Sequence, residues 1–209
     1  GFSVRQTSSI AQRLYQGMQL GGDNIVGLIS YMRTDSTTLS KDCLNDIDGF
    51  LSKNHPQFKS KEVRKYSKKV KNAQEAHEAI RPTSIDNTPE KVKQYLEDQE
   101  YKLYDLIWKR TVASQMTDAV YNQVTLEFDL TDKYEFRYSG SFLKENGFKE
   151  IYDLSDNDEK DKFNKKILED IKTGDELNIK SINLEQKFTQ PPPRYNQASL
   201  IQALEELGI

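Results

Sequence analysis

The apolar pattern of this chain changes period once, and that change limits the folds open to it. As far as about residue 117, apolar side chains recur three and four positions apart. From Val120 to Tyr138 they recur two apart. The first spacing gives helices with one inward stripe, and the second gives strands with one inward face. Helices in a block followed by strands in a block predict an α+β chain: a mainly helical region, a β-rich region and a closing helix.

Local signals divide the helical block. Ser3 to Leu20 reads as a helix with Val4, Ile10, Ala11, Leu14, Tyr15 and Met18 along one stripe, stopped by Gly21-Gly22-Asp23-Asn24. Ile25 to Arg33 reads as a short, mostly buried strand. Ser40 is placed to cap a helix running to about Asn54, with Leu44, Ile47 and Leu51 inward and His55-Pro56 ending it. Residues 56–72 show no period and read as loop or marginal helix. Gln74 to Ile80 reads as a short helix closed by Pro82. Thr88-Pro89 opens a helix to about Asp98, and another runs from about Glu100 to Gln115 with Leu103, Ile107, Trp108 and Val112 on its apolar face.

In the stranded block, Val120, Val124, Leu126, Phe128 and Leu130 are followed by Tyr134, Phe136 and Tyr138. Asp153 to Asp161 is acidic without a period and reads as a solvated loop, because it lacks the glycine and closing glutamate of a calcium loop. Two further strands are expected near Glu176–Ile182 and Asn183–Phe188. Gln190-Pro191-Pro192-Pro193 is a stiff linker, and Asn196 to Leu207 an amphipathic helix with Gly208 as its stop. The expected divisions are therefore 1–117, 118–189 and 190–209.

Charge divides the same way. The net charge of −3 hides 18 Lys+Arg against 14 Asp+Glu up to Thr117, a formal +4, and 12 against 19 after it, a formal −7. Between Lys53 and Lys71 lie Lys53, Lys59, Lys61, Arg64, Lys65, Lys68, Lys69 and Lys71 against a single acid, Glu62. Local clusters set the potential that a phosphate backbone meets. This one reads either as a solvated loop or as a groove-facing basic loop. The single cysteine, Cys43, excludes an internal disulfide and a thiolate zinc cluster, and His55 and His77 leave little for a histidine-based metal site. No stretch is apolar over the roughly 18 residues a membrane helix needs, and no signal peptide is expected.

Three segments could carry chemistry. In Tyr31-Met32-Arg33-Thr34-Asp35-Ser36, strand alternation puts Val26, Leu28 and Met32 on one face and Ile29, Tyr31 and Arg33 on the other. A phenol could attack phosphorus while a guanidinium two residues on holds the non-bridging oxygens. A phenol with a pKa of about 10 needs positive charge nearby to act so. Among 11 tyrosines the residue alone is weak evidence. The second segment is His77-Glu78-Ala79-Ile80-Arg81-Pro82-Thr83, with Arg81 where a zinc protease motif needs its second histidine. His77 is either a core or capping residue or a donor to a phosphate oxygen, and Arg81 could join the same anion site. The third runs from Gln190 to Ile209 and by composition is only linker and helix.

In their order and spacing these three segments resemble the bacterial DNA topoisomerase I family, the type IA topoisomerases, over the whole chain. The methionine after Tyr31 and the His-Glu-Ala-Ile-Arg run look more like topoisomerase I than topoisomerase III, and reverse gyrase carries a similar core. The resemblance implies that Tyr31 attacks a single-stranded DNA phosphodiester to give a 5′-phosphotyrosine and a free 3′-hydroxyl, that the other strand passes, and that the break is resealed without ATP. It implies that Arg33 contacts the scissile phosphate and that His77 assists through the phosphate; Thr34, Asp35 and Ser36 match the motif and are expected only to support the local turn. Arg81, Lys65, Lys68, Lys69 and Arg194 are expected to contact DNA.

It further implies a helical tyrosine domain inserted into a β-rich arch, of which 118–189 is the second half, with the final helix returning to the base domain. No metal ligand is expected in this chain. Magnesium, the catalytic lysine and the acid that protonates the leaving 3′-oxygen belong to a Toprim domain elsewhere in the polypeptide. The fragment alone is therefore expected to be inactive, and the whole to act in the cytoplasm on the bacterial nucleoid, with no membrane partner. The competing reading is a non-catalytic single-stranded DNA-binding module, with Trp108 and the tyrosines as stacking platforms. A tyrosine recombinase or type IB enzyme would need an arginine and histidine pattern not found in this sequence.

Overall fold

The computed structural model of the chain describes residues 1–66, 78–131, 133–153 and 158–207. Helix α1 (Val4–Gln16) opens on a capping box. The Gln6 N–H donates to Ser3 Oγ at 3.3 Å, and the Ser3 N–H donates to Gln6 Oε1 at 3.0 Å. The helix ends four residues before the expected Leu20, because Gly17 turns the chain at φ 118°. Met18–Gln19 (β1) then pairs antiparallel with Ile25–Val26 (β2) around the predicted Gly21–Asn24 turn. Tyr15, expected on the inward stripe, is 40% exposed, while Ile10, Ala11 and Leu14 are buried.

The strand expected from Ile25 to Arg33 stops at Val26. Leu28 and Ile29 are both buried, so the alternation that would have put them on opposite faces is broken. Helix α2 (Lys41–Asn54) matches its expected bounds. Ser40 Oγ accepts the Cys43 N–H at 3.4 Å, and Cys43, Ile47 and Leu51 face inward. Leu44 is only half-buried.

Pro56–Phe58 forms a single tight turn. Short helix α3 (Pro89–Val92) has proline at its first position and tightens through Lys93–Tyr95, ending before the expected Asp98. Helix α4 (Asp98–Ala113) carries the core aromatics. Trp108 Nε1 donates to Ile85 O at 3.0 Å, and its ring meets Phe50 edge-on at 5.2 Å. The Tyr104 hydroxyl donates to Asn87 O at 2.6 Å. Glu100, buried on the same helix, accepts Arg13 Nε at 2.7 Å and the Glu97 N–H at 3.1 Å, which ties α4 to α1. Residues 78–80 are not helical, and the rest of the helix expected at Gln74–Ile80 lies outside the described residues.

Strands β3 (Val120–Thr131) and β4 (Tyr134–Glu145) form one long antiparallel hairpin, with Leu126 opposite Tyr138 and Phe128 opposite Phe136. Helix α5 (Asp158–Asp170) packs on β4. The buried Asn164 accepts the Tyr138 hydroxyl and donates to Ser141 O, and the Phe163 ring meets Tyr138 at 6.3 Å. This corrects the loop expected over 153–161. Positions 154–157 lie outside the described residues, but helix begins at Asp158. Its anchor is a polar contact, which an apolar period does not reveal.

The strands expected at 176–182 and 183–188 do not form. That segment has no assigned strand, and Leu177, Ile179, Ile182, Leu184 and Phe188 are exposed. Alternation marks a chain fit for a sheet, but a strand exists only when a neighbour takes its hydrogen bonds. Helix α6 (Gln197–Leu207) is capped by Asn196, whose Oδ1 accepts the Ser199 N–H at 2.9 Å. Its expected stop, Gly208, lies outside the described residues. No described helix is long and apolar enough to cross a membrane.

The chain is thus α+β. It divides into two units: Gly1–Asp118 with Gly147–Asp153 and Tyr195–Ile209, and Ala119–Asn146 with Leu154–Arg194.

Candidate active-site tyrosine and its clamp

The backbone leading to Tyr31 is fixed before the tyrosine is reached. The Leu28 N–H donates to Leu14 O at 2.8 Å, in the last turn of α1. Gly27 lies so close that a Cβ there would fall 2.8 Å from Tyr15 O, and only glycine permits that approach.

On the other side lies the segment 79–83, running antiparallel. The Thr83 N–H donates to Leu28 O at 3.0 Å and the Ser30 N–H to Arg81 O at 2.9 Å, with Ile29 bridged to Pro82 between them. Pro82 has no N–H to offer, so its neighbours make these bonds. Side chains add to the ladder. The Ser30 hydroxyl donates to Ala79 O at 2.7 Å and accepts the Arg81 N–H at 2.9 Å, and the Thr83 hydroxyl donates to Gly27 O at 2.6 Å. The first two motif segments of the sequence are therefore one structure, stitched across about fifty residues of chain.

Tyr31 emerges from this clamp 43% exposed, with its ring edge-on to Tyr15 at 5.3 Å and 66°. Arg33 is exposed and has no ion pair among the described residues. Thr34 and Ser36 shape the following turn, with Thr34 Oγ1 accepting the Ser36 N–H at 3.0 Å and Ser36 Oγ accepting the Thr38 N–H at 3.2 Å.

Arg81 is turned inward. Its guanidinium pairs with Glu78 Oε2 at 2.6 Å, donates to Pro82 O at 3.0 Å and reaches Ser40 Oγ at 3.4 Å. The sequence put this residue in an anion site, and in the structure it also ties the 78–82 segment to the start of α2. Beneath it, burial pushes the Cys43 thiol up, and the Arg81 charge pulls the other way. His77, Lys68 and Lys69 lie outside the described residues.

The basic stretch as far as Tyr66 is anchored rather than free. Buried Gln115 accepts the Arg64 N–H at 3.0 Å and donates to Arg64 O at 3.1 Å. The Tyr66 hydroxyl donates to Ser114 O at 2.9 Å, and the Thr117 N–H to Phe58 O at 2.7 Å. Arg64 Nη1 meets Asp118 Oδ1 at 2.7 Å, and that bond holds the Asp118 carboxyl below its ordinary value. Lys59 pairs with Asp48 at 2.6 Å. Lys65 stays exposed, and Arg194 is exposed in the second unit.

Ser30, Tyr15 and Gln115 were not singled out by the sequence as site residues. No periodic signal marks a hydroxyl whose partners lie 49 and 51 positions away. Among the described residues no three His, Cys, Asp or Glu side chains gather as a metal site.

Comparison with known proteins agrees with the motif resemblance. A family model described as DNA topoisomerase matches residues 1–209. The chain is 47% identical over 211 residues to DNA topoisomerase 1 of Rickettsia felis, and 45% identical over 218 residues to that of Xylella fastidiosa (strain Temecula1). In each case all of this chain is covered, but only 27% and 26% of the relative. The structure superposes on full-length topoisomerase I from Thermotoga maritima with a TM-score of 0.69 at 30% identity, covering all of this chain and 32% of that one.

Proposed function

The chain belongs to the DNA topoisomerase family, and on that premise we propose that it is the segment of a type IA enzyme that supplies the nucleophile, Tyr31. The phenol oxygen attacks the phosphorus of a single-stranded DNA phosphodiester. An O–P bond to Tyr31 forms and the P–O3′ bond breaks. The phenol loses its proton and the 3′-oxygen gains one. One ester replaces another, so the bond energy is retained and reversal reseals the strand without ATP. Passage of the other strand through the gap relaxes negatively supercoiled DNA.

The observation that carries this reading is the clamp. It fixes the backbone on both sides of Ser30 and leaves the adjoining Tyr31 ring at the surface, two residues from an exposed guanidinium. Arg33 is suited to grip the non-bridging oxygens in a bidentate fork. His77 assists at the phosphate, and Lys65, Lys68, Lys69 and Arg194 contact the DNA backbone. Arg81 supports the clamp and joins these DNA contacts. In this reading magnesium, and the acid that protonates the 3′-oxygen, belong to the Toprim portion of the polypeptide. The enzyme then works on the nucleoid in the bacterial cytoplasm, and the 209-residue segment alone does not relax DNA.

The test is covalent capture of a labelled single-stranded oligonucleotide by the full-length polypeptide, read on a denaturing gel. Tyr31→Phe should abolish the adduct while leaving single-strand binding largely intact. An adduct of undiminished yield in that variant would remove Tyr31 from the role. A parent that binds but never forms an adduct would favour a binding module instead.

A further inference from the structure

The last turn of α1 holds the Tyr31 region twice. Its backbone takes the Leu28 N–H on Leu14 O at 2.8 Å and lies against Gly27. Its exposed Tyr15 ring meets the Tyr31 ring edge-on at 5.3 Å between centroids and 66° between planes. We propose that Tyr15 is a positioning residue for the nucleophile, selecting the Tyr31 rotamer that presents its hydroxyl for attack. The inference rests on the reading of Tyr31 as nucleophile.

The two rings are 40% and 43% exposed, so their contact adds little to the core. The buried side of α1 is made by Ile10, Ala11 and Leu14, which Tyr15 does not replace. Core packing therefore does not account for the pair. The staggered χ1 wells of a tyrosine put its hydroxyl in different places. In-line attack needs the oxygen held about 3–3.5 Å from phosphorus, and time spent in other wells lowers the rate in proportion. An edge-to-face contact between aromatic rings is strong enough to favour one well over its neighbours by roughly two- to tenfold. The turn that carries Tyr15 also fixes the Gly27–Leu28 backbone, so both ends of the contact share one rigid support.

Two substitutions separate ring from hydroxyl. Tyr15→Phe keeps the edge-on contact, and Tyr15→Leu keeps apolar bulk without it. In the full-length polypeptide at saturating oligonucleotide, single-turnover adduct formation should stay within about twofold of the parent for the Phe variant. It should fall roughly two- to tenfold for the Leu variant at unchanged DNA affinity. A fluorotyrosine incorporated at Tyr31 in the same polypeptide should show a fluorine resonance that moves in the Leu variant and stays in place in the Phe variant.

A Leu variant with the parent's rate and an unmoved resonance overturns the proposal. So does a Phe variant as slow as the Leu variant, which would make the hydroxyl the active part. A rate loss matched by lost affinity makes Tyr15 a DNA contact and overturns it as well. Should the parent form no adduct at all, the reading of Tyr31 falls and the proposal with it, even if the fluorine shift confirms that the rings touch.

Discussion

Ser30 and Arg81 exchange hydrogen bonds: the Ser30 N–H donates to Arg81 O at 2.9 Å, and the Arg81 N–H donates to Ser30 Oγ at 2.9 Å. Through this pair the residue before Tyr31 is locked to the segment that follows His77 in the chain. Ser30→Ala leaves the half-buried Arg81 N–H and Ala79 O each without this partner. The expected cost is about 1–3 kcal/mol, with Ser30→Thr close to neutral. Urea unfolding followed by Trp108, the sole tryptophan and buried in the same unit, reads it directly. An unshifted Ala midpoint would show that the clamp does not depend on this hydroxyl.

Gln115 serves the basic stretch as Ser30 serves the tyrosine, taking and giving a hydrogen bond with the Arg64 backbone. Gln115→Ala should cost roughly 1–3 kcal/mol and loosen residues 59–66 before the rest of the unit. Amide exchange at Arg64 and trypsin cleavage after Lys61 and Lys65 should both accelerate. If only global unfolding changes, Gln115 is core filling and not a latch.

Tyr104 predicts an alkaline limit. Burial pushes its phenol well above the ordinary value of 10.0. The folded state therefore favours the protonated form. The stability this contributes is fully present below the unfolded pKa and is lost as pH rises from about 10 toward the folded value. The urea midpoint should drop as pH rises past about 10. Tyr104→Phe, which gives up the bond to Asn87 O, should start lower by about 1 kcal/mol and decline less. Equal declines in parent and variant would assign the effect to other groups.

The acidic unit should be divided in its protection. Amides along β3 and β4 share a ladder that is unbroken from Tyr121 to Asp129, whereas 176–188 has no ladder partner among the described residues. Hydrogen exchange should be slow in the interior of the hairpin and fast throughout 176–188. Protection across both would mean that 176–188 pairs in solution.

Much of this architecture was legible because it is local. Ser40 capping α2, the Gly21–Asn24 turn and the alternation along the hairpin each need only nearby residues to be recognised. Errors came where a distant partner decides. Helix α5 is held by Asn164 against Tyr138 and Ser141, and the segment after Gly174 alternates but finds no strand neighbour among the described residues. The site followed the same rule. Tyr31, Arg33 and Arg81 could be named from type and spacing, but the ties of Arg81 to Glu78 and Ser40 leave no trace in the pattern.

By itself, then, the sequence determined which residues could do phosphoryl chemistry, the α+β class and the charge of each region, since side-chain identity and periodicity carry that information. Only the tertiary structure decided that Tyr31 stands at the surface beside Tyr15, that Ser30 joins two motifs into one clamp, and that Arg81 faces inward. Those outcomes depend on hydrogen bonds and ring contacts between residues far apart in the chain, and no local preference specifies them.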